Sequence, residues 1–384
     1  MTEIIVGIDL GTTNSEVAIV RDGRVEVLEV APGVRILPSV VGVGDDGALL
    51  IGQAARNQYV LHPERSVRSI KRRMGEFTAV HMAGKDYSPQ EISAMILRRL
   101  REIAEAHTGE TVTKAVITVP AYFSDAQRQA TREAGEIAGL EVMRIINEPT
   151  AAALAYESCH SGARKVLVYD LGGGTFDVSV VNLESAVVEV LASHGNNHLG
   201  GDDFDLQLVT FAVEHLQREN GIDVRDNAVA MARLQRAAEA AKIALSDQPY
   251  AILSEEYLLE KDGVPVHLSV EVSRDEYEEM IAPFVAETIE AVHVALSGAG
   301  LTVSEINEIL LVGGATRTPL VQRRLEQDLG LQPRAEVDPD LCVAMGAAIQ
   351  AAVIAGGQAP TVLVDVTPYT FGTSAIGPLN REIY

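Results

Sequence analysis

Residues 4–20 read IIVGIDLGTTNSEVAIV, and residues 165–181 read KVLVYDLGGGTFDVSVV. Each stretch consists of an apolar segment, an aspartate, a turn rich in Gly or Thr, and a second apolar segment. The two aspartates, Asp9 and Asp170, occupy the same place in the two stretches. The repeat predicts a strand–turn–strand unit that the chain builds twice.

The turns of the repeat have the chemistry of a phosphate site. Gly172, Gly173 and Gly174 allow close approach of backbone N–H groups, and concave arrays of such groups bind phosphate oxygens. Asp9 and Asp170 would repel phosphates unless a hydrated Mg²⁺ lay between, and Mg²⁺ keeps its waters and takes few carboxylates. The alternative, two ordinary hairpin turns, is disfavoured by the matched repeat. We therefore predict a two-lobed protein that clamps a nucleotide.

Composition excludes several other classes of function. The chain has 384 residues, 47% of them hydrophobic, which suffices for two domains or one bilobal unit. A net charge of −23, no Trp and 4% aromatic residues argue against nucleic-acid binding. Cys159 and Cys342 lack metal-site spacing, and so few cysteines favour a reducing compartment. Neither a signal-peptide pattern nor a long apolar run occurs, so we expect a cytoplasmic protein without a membrane span.

Apolar periodicity and turn residues predict alternating strands and helices, hence an α/β fold class. Strands are predicted at 4–9, 15–20, 24–30, 114–120, 142–146, 166–170, 176–182, 186–194 and 308–312, with short strands within 249–272. Helices are predicted at 88–106, 125–138, 149–158, 202–218, 226–246, 274–296, 319–329 and 344–355. Residues 359–368 are interpreted as a linker and Tyr369–Gly372 as the start of a new strand; the alternative is a loose C-terminus.

Five segments together resemble the heat-shock protein 70 family of chaperones, bacterial DnaK type. They are Gly7–Asn14, Ile117–Phe123, Arg144–Ala153, Asp170–Asp177 and Leu311–Arg317. The resemblance runs in unbroken order from residue 4 to residue 374. Each motif alone would fit the wider actin-like ATPase superfamily, whereas the set, with the apolar linker, is specific to the chaperones.

The resemblance implies an actin-like ATPase fold, in which two lobes, each with an RNase H-like core, enclose a nucleotide cleft. By this resemblance, lobe I comprises 1–165 with an outer subdomain at about 36–90, and lobe II comprises 166–337 with an outer subdomain at about 205–280. A helix at 338–358 returns to lobe I. An interdomain linker at 359–368 is followed by the start of a truncated peptide-binding domain at 369–384.

The resemblance also implies an activity and its partners. ATP or ADP would lie at the cleft floor with Mg²⁺ and usually K⁺, and ATP would be hydrolysed slowly to ADP. The implied partners are a J-domain cochaperone, a nucleotide-exchange factor, and unfolded client peptides bound by the domain that is mostly missing here.

The family's nucleotide-binding residues carry over to matching positions. The first phosphate loop corresponds to Gly11, Thr12, Thr13 and Asn14, and the second to Gly172, Gly173 and Gly174. Further phosphate and ribose turns correspond to Gly200, Gly201, Gly313 and Gly314. The adenosine side corresponds to Glu239, Lys242, Ser246, Arg317 and Asp340. Taken alone, Glu239, Lys242 and Ser246 would read as a solvated stripe on one helix face.

Four residues are candidates for catalysis by the same resemblance, and Asp9 and Asp170 for metal binding. Lys71 would neutralise charge on the γ-phosphate, although Arg72 and Arg73 are equally cationic neighbours and only the resemblance selects it. Glu148 would place the attacking water; the alternative is an acid that complements a helix dipole. The other two are Thr175 and Asp177, which project to the same side of one strand.

Four further residues are implied to report nucleotide state. Pro120 and Arg128 match a hinge, Arg144 a contact of J-domain cochaperones, and Asp365 a linker acid that docks on the first domain. Nucleotide state would thereby control docking of the linker.

The chain departs from the family pattern near the proposed site. Glu16 replaces a small residue, usually Cys, where an added acid is expected to weaken nucleotide binding or alter cation preference. Ile243 follows the bacterial pattern, whereas other branches carry an Arg. The stretch from Lys71 to Pro120 is shorter than usual, and Asp340-Leu-Cys-Val replaces the usual acidic–alanine continuation.

Three alternatives within the same superfamily stay open on the sequence. The first is an actin-like filament protein, which the linker argues against. The second is a sugar or acetate kinase, for which no catalytic Asp facing a small substrate is evident. The third is a nucleotide sensor that binds without hydrolysis because of Glu16.

Overall fold

The computed structural model describes residues 4–158, 162–184, 187–334, 338–357 and 362–366, and the backbone of 375–376 and 382–383. In the first half the elements are β1 (Ile5–Leu10), β2 (Asn14–Arg21), β3 (Arg24–Val27), β4 (Leu37–Pro38), β5 (Val41–Val43), β6 (Leu49–Ile51), α1 (Gln53–Tyr59), β7 (Ser66–Val67), β8 (Val80–Met82), β9 (Lys85–Tyr87), α2 (Pro89–Thr108), β10 (Lys114–Val119), α3 (Asp125–Ile137), β11 (Glu141–Asn147) and α4 (Glu148–Glu157).

The second half continues with β12 (Arg164–Leu171), β13 (Phe176–Glu184), β14 (Val187–Asn196), α5 (Gly201–Asn220), α6 (Ala228–Asp247), β15 (Tyr250–Lys261), β16 (Val264–Ser273), α7 (Arg274–Gly298), β17 (Glu308–Val312), α8 (Pro319–Leu329), β18 (Pro333–Arg334), α9 (Cys342–Ile354), β19 (Val362–Val364), β20 (Ala375–Ile376) and β21 (Glu382–Ile383). The predicted strand at Tyr369–Gly372, five of the ten residues of the predicted linker, and Cys159 lie outside the described residues.

Two six-stranded sheets organise this mixed α/β structure. The first has the order β11-β10-β1-β2-β3 with β4 beside β2, and the second has the order β18-β17-β12-β13-β14-β19. In both sheets an antiparallel pair, β1–β2 or β12–β13, lies beside a parallel neighbour, β10 or β17. The strand–turn–strand unit predicted from the repeat is therefore confirmed in both copies.

The two strand pairs align their aspartates with a second acid across the ladder. Asp9 lies opposite Glu16 in β1–β2, and Asp170 lies opposite Asp177 in β12–β13. Directly opposed residues project from the same face of a sheet. Each turn therefore presents two carboxylates on one face.

Small residues let α4 and α9 pack closely between the sheets. A buried apolar cluster joins α4 and α9 to strands of both sheets, with Val116 from the first and Val168 from the second. A Cβ added at Gly346 would lie 1.7 Å from the backbone oxygen of Ala151, so the helices meet backbone to backbone. The prediction of a tightly packed small-residue helix near 344–355 is confirmed.

Local sequence signals account for the helix ends. Ser88 and Ser124 each cap a helix by a capping box, with Glu91 and Gln127 respectively. Gly109 ends α2 in the left-handed conformation, with φ 74°.

Residues 249–272 were predicted to form several short strands, and the structure differs. It forms one long hairpin, β15–β16, around a turn whose Asp262 and Gly263 have φ of 53° and 78°. Alternate residues of β15, such as Ala251 and Leu253, are buried. This amphipathic alternation sustains a strand longer than the short apolar runs had indicated.

Among the described residues, one helix, α7, is long and apolar enough to cross a membrane by length and composition alone. Its buried side chains, including Ile281, Val285 and Val292, belong to the apolar core of the second half. A core helix of this kind passes the same test, so the finding is weak evidence for a span.

Candidate functional site

The turns of the two repeats meet in a polar cavity of about 550 Å³, here called the inner pocket. It is lined by Asp9, Gly11, Thr12, Thr13, Asn14, Glu16, Lys71, Glu148, Asp170, Gly172, Gly173, Thr175, Val312, Gly313, Gly314, Pro339, Asp340 and Val343. Most of the predicted phosphate, metal and catalytic residues are thus brought together from segments far apart in the chain.

A second cavity of about 1270 Å³, here called the outer pocket, adjoins the first. Thr13, Asn14, Gly173 and Gly314 line both, so the two pockets are continuous. The outer pocket is also lined by the predicted adenosine residues Glu239, Lys242, Ser246 and Arg317, together with Gly201 and Ile243. The combined space has a smaller inner end and a larger outer end.

A buried ion pair, Lys71–Glu148, lies in the inner pocket. The Lys71 ammonium pairs with Glu148 Oε1, and the two residues are 4% and 6% exposed. Lys71 lies on a short 3₁₀ helix, Ile70–Arg73, and Glu148 is the first residue of α4. The pair therefore joins the 3₁₀ helix to the start of α4, 77 positions further along the chain.

The same pair has shifted proton affinities. Burial raises the pKa of Glu148 to about 7, although Lys71 opposes the shift. Burial lowers the pKa of Lys71, but the nearby carboxylates of Glu148, Asp9 and Asp170 outweigh it and raise the value overall. Lys71 is thus held as a cation, and Glu148 can exchange a proton near neutral pH.

Lys71 differs in environment from the two arginines beside it. Arg72 donates to the Gly174 carbonyl at 3.0 Å and pairs with Asp203, whereas Arg73 is directed outward to Glu76 at 3.1 Å. Of the three neighbouring cations, Lys71 is the one that lines the inner pocket.

Asp170 and Asp177 are also buried, and Asp9 is partly buried. Burial raises the pKa of Asp9, Asp170 and Asp177, and for Asp170 the charges of Glu148, Asp177 and Asp9 add to the increase. Asp9 accepts a hydrogen bond from the Thr118 hydroxyl at 2.7 Å. Several carboxylates thus crowd around one lysine, and a bound cation would relieve their repulsion.

The residues present fit a hydrated metal ion bound with phosphates. Within the described ranges, no three His, Cys, Asp or Glu side chains are placed to hold a metal by themselves. The hydroxyls of Thr12 and Thr13 are buried and have no hydrogen-bond partner among the residues that the structure describes. Unpartnered donors beside clustered carboxylates suit phosphate oxygens accompanied by Mg²⁺, which keeps most of its waters.

Two glycines hold the loops of the site in close contact. A Cβ at Gly200 would lie 2.6 Å from the backbone of Gly173 and Gly174. Gly313 has φ 82°, and a Cβ there would lie 2.5 Å from the Leu171 carbonyl oxygen. The predicted glycine turns therefore pack on one another, although Gly200 and Gly174 do not themselves line either pocket.

Two predicted site residues, Asp177 and Arg317, form hydrogen bonds with other residues of the protein. Asp177 does not line the cavity and instead accepts the N–H of Tyr122 at 3.0 Å. Arg317 donates to Asp340 at 2.8 Å, at the junction of the two pockets.

Two acids near the outer pocket were missed by sequence reasoning. Asp205, which is 1% exposed, pairs with Lys242 at 2.9 Å, and burial raises the pKa of Asp205 to about 6. Asp202 accepts from the Ser69 hydroxyl at 2.6 Å. The run Gly201-Asp202-Asp203 was visible at a helix start, but nothing local identified its partners.

Side-chain pairs connect residues 53–73 with α5 and α6 across the pockets. Arg56 pairs with Glu239 at 2.7 Å, and the Tyr59 hydroxyl donates to Gln235 at 3.2 Å. The predicted adenosine residue Glu239 is thus held by a cation from the other half of the chain.

The four residues predicted to report nucleotide state lie outside the pocket linings. Arg128 donates to the carbonyls of Ala121 at 2.9 Å and Pro120 at 3.5 Å, which braces the turn after β10. Asp365 contacts the start of α4, as described below. Arg144 lies on β11 opposite Val116 of β10.

Comparisons of the sequence with known proteins give matches over nearly the whole chain. The sequence profile of the family described as "Hsp70 protein" matches residues 5–383. The chain is 51% identical to "Chaperone protein DnaK" of Thermotoga neapolitana over 99% of its own length. It is 50% identical to proteins of the same name from Thermotoga petrophila and Thermotoga maritima, again over 99% of its length. The chain spans about 65% of the length of these curated relatives.

Proposed function

The chain belongs to the Hsp70 family, and on that premise we propose that it binds ATP or ADP with Mg²⁺ and hydrolyses ATP to ADP and phosphate. The observation that carries the proposal is the buried Lys71–Glu148 pair, which faces the Gly- and Thr-rich turns of both repeats in one pocket. Family membership implies an actin-like ATPase fold. The finer division belongs to the proposal: two lobes at 1–165 and 166–337, the returning helix at 338–358, the linker at 359–368, and a further domain that begins at 369.

The inner pocket would hold the phosphates and the outer pocket the nucleoside. Thr12 and Thr13 have unpartnered hydroxyls for phosphate oxygens, and Asp9 and Asp170 would hold the hydrated metal. Mg²⁺ would neutralise charge on the phosphates, and K⁺ is proposed as a second cation. On the other side Glu239, Lys242 and Ser246 of α6 would contact the nucleoside.

The chain's own residues account for the hydrolytic step. Lys71 is buried and charged, so it would stabilise negative charge that develops on the transferred phosphoryl group. Glu148, with a pKa of about 7, would orient the attacking water and accept its proton. Thr175 lines the same pocket and would contact the γ-phosphate, while Asp177 holds the turn at Tyr122.

The decisive experiment is single-turnover hydrolysis of ATP with Mg²⁺ and K⁺, with ATP binding measured in parallel. We expect binding followed by slow formation of ADP. Binding without any hydrolysis would favour the sensor alternative. Sedimentation of the protein with ATP would identify a filament protein, and a phosphate-transfer screen would identify a small-molecule kinase.

We further propose that the chain is the ATPase part of a cytoplasmic chaperone. Its nucleotide state would shift a population between linker-docked and linker-free forms. A J-domain cochaperone, a nucleotide-exchange factor and unfolded client peptides are the proposed partners, with Arg144 at the cochaperone contact. The clients would bind a domain that lies beyond most of this chain.

The linker acid supports this coupling by its contacts. Asp365 Oδ2 accepts hydrogen bonds from Asn147 Nδ2 at 3.0 Å and from Thr150 Oγ1 at 2.9 Å. The preceding strand β19 pairs in parallel with β14 at the edge of the second sheet. Asn147 immediately precedes Glu148, so the docked linker touches the residue next to the proposed catalytic acid.

Replacing Asp365 by alanine is expected to release β19. The change removes two hydrogen bonds to a charged acceptor, so we expect amide exchange at 363–364 to accelerate about ten-fold. Hydrogen exchange followed by mass spectrometry measures this. Asn147→Ala, which removes one of the donors, should give a smaller increase, and Glu271→Ala on the exposed face of β16 should give none. Unchanged protection in Asp365→Ala would refute the docking role.

A further inference from the structure

Glu16 is a buried acid without a partner in the inner pocket. It is 3% exposed and lines the cavity, and in the described part of the chain its carboxylate forms no hydrogen bond or ion pair. The β1–β2 register places it directly opposite Asp9. Opposed residues of an antiparallel pair share one face, with Cβ atoms about 5 Å apart, so the two carboxylates face the same space.

Most other acids of the site are compensated within the protein. Glu148 has Lys71, Asp340 has Arg317, and Asp9 accepts from Thr118. Asp170 lacks such a side-chain bond, and it is one of the two proposed metal ligands. Glu16 likewise lacks a side-chain partner, but no role in metal binding has been assigned to it.

The unpaired Glu16 carboxylate changes the electrostatic potential at a bound phosphate. Phosphate oxygens at the turns would add negative charge close to Glu16 and Asp9, where the low effective dielectric strengthens repulsion. A cation between them would convert this repulsion into attraction. Since no protein-only group of three ligands is present among the described residues, the cation needs oxygens from the nucleotide as well.

We propose that Glu16 makes nucleotide binding by this chain steeply dependent on a bound cation. It disfavours metal-free nucleotide and favours the metal-loaded form, and thereby acts as a specificity-determining residue. The inference rests on the proposed nucleotide binding. It assigns Glu16 a selective role between metal-free and metal-loaded nucleotide, whereas the sequence had predicted only weaker nucleotide binding or an altered cation preference.

The test compares the affinity for ATP in Mg²⁺ and in EDTA, at constant K⁺, for wild type and Glu16→Gln. The readout is the factor by which Mg²⁺ tightens binding. We expect this factor to fall about ten-fold in Glu16→Gln, which corresponds to the loss of one close charge interaction. Glu16→Asp keeps the charge and should retain most of the wild-type factor. Glu271→Gln, an exposed acid on β16, should leave it unchanged.

Thermal unfolding without ligand provides a second readout. Because Glu16 faces Asp9 with like charge, Glu16→Gln is expected to raise the melting temperature. A lower value would mean that the carboxylate is stabilised by its surroundings, which would overturn the proposal. An equal Mg²⁺ factor in wild type and Glu16→Gln, with ATP bound by both, would overturn it and leave the proposed function standing. If neither protein binds ATP in either buffer, both proposals fail.

Discussion

Lys71→Met is expected to slow single-turnover ATP hydrolysis by about 10²–10³-fold while ATP binding is retained. Lys71 is a buried cation that lines the inner pocket, where the phosphates are proposed to bind, and it is paired with Glu148. A charge that acts mainly on the transition state changes the rate more than the affinity. Quenched-flow hydrolysis with a parallel binding titration separates the two effects.

The same substitution leaves Glu148 buried without its partner. Breaking a buried ion pair in this way costs about 3–5 kcal/mol, so stability must be measured with activity. The double variant Lys71→Met/Glu148→Gln removes the orphaned charge and should recover most of that stability without recovering hydrolysis. Arg73→Met removes a neighbouring cation that points outward, and it should hydrolyse ATP at the wild-type rate. Normal turnover in a folded Lys71→Met would eliminate the assigned role.

Lys71 also illustrates where the sequence stops being informative. The run Lys71-Arg72-Arg73 offers three equivalent cations, and no local pattern separates them. The tertiary structure does so because Arg72 is engaged by Gly174 and Asp203, and Arg73 by Glu76. For Lys71 and Arg72 the deciding contacts are with residues 77 to 131 positions away, which a local reading of charge does not contain.

The strand pairs of the repeat were predictable because their signals are local. An apolar strand, a Gly or Thr turn and a second apolar strand lie within 17 residues in each copy, 4–20 and 165–181. By contrast, β5 to β9 and α1 were not predicted. Strands of two or three residues carry no measurable periodicity, and a seven-residue helix carries little.

The lining of the inner pocket was largely predictable from the sequence, and that of the outer pocket was less so. Asp9 and Asp170 follow from the repeat itself. Glu239, Lys242 and Ser246 could have formed either a solvated helix face or a binding face, and in the structure they line the outer pocket. The contact of Arg68 with Asp202 joins residues 134 positions apart and has no sequence signal.

Gly200→Ala is expected to weaken ATP binding by about 100-fold, at the upper end of the effect seen when supporting contacts of a site are lost. The added Cβ would lie 2.6 Å from the backbone of Gly173 and Gly174, and these atoms cannot rotate away as a side chain can. The phosphate loop must therefore shift. A displacement of about 1 Å in such a site is costly because its donors must match fixed phosphate oxygens.

The backbone conformation of Gly200 is extended, with φ 178°, so alanine itself is tolerated there and the effect is steric rather than conformational. This distinguishes loop displacement from general unfolding. The melting temperature without ligand should change far less than the affinity does. Gly298→Ala, at the end of α7 where the nearest atom would be the Ala192 side chain at 3.3 Å, serves as the matched glycine control and should bind ATP normally. If Gly200→Ala also bound ATP with wild-type affinity, the Gly172–Gly174 turn would not be the phosphate loop, and the nucleotide would have to be placed elsewhere in the two pockets.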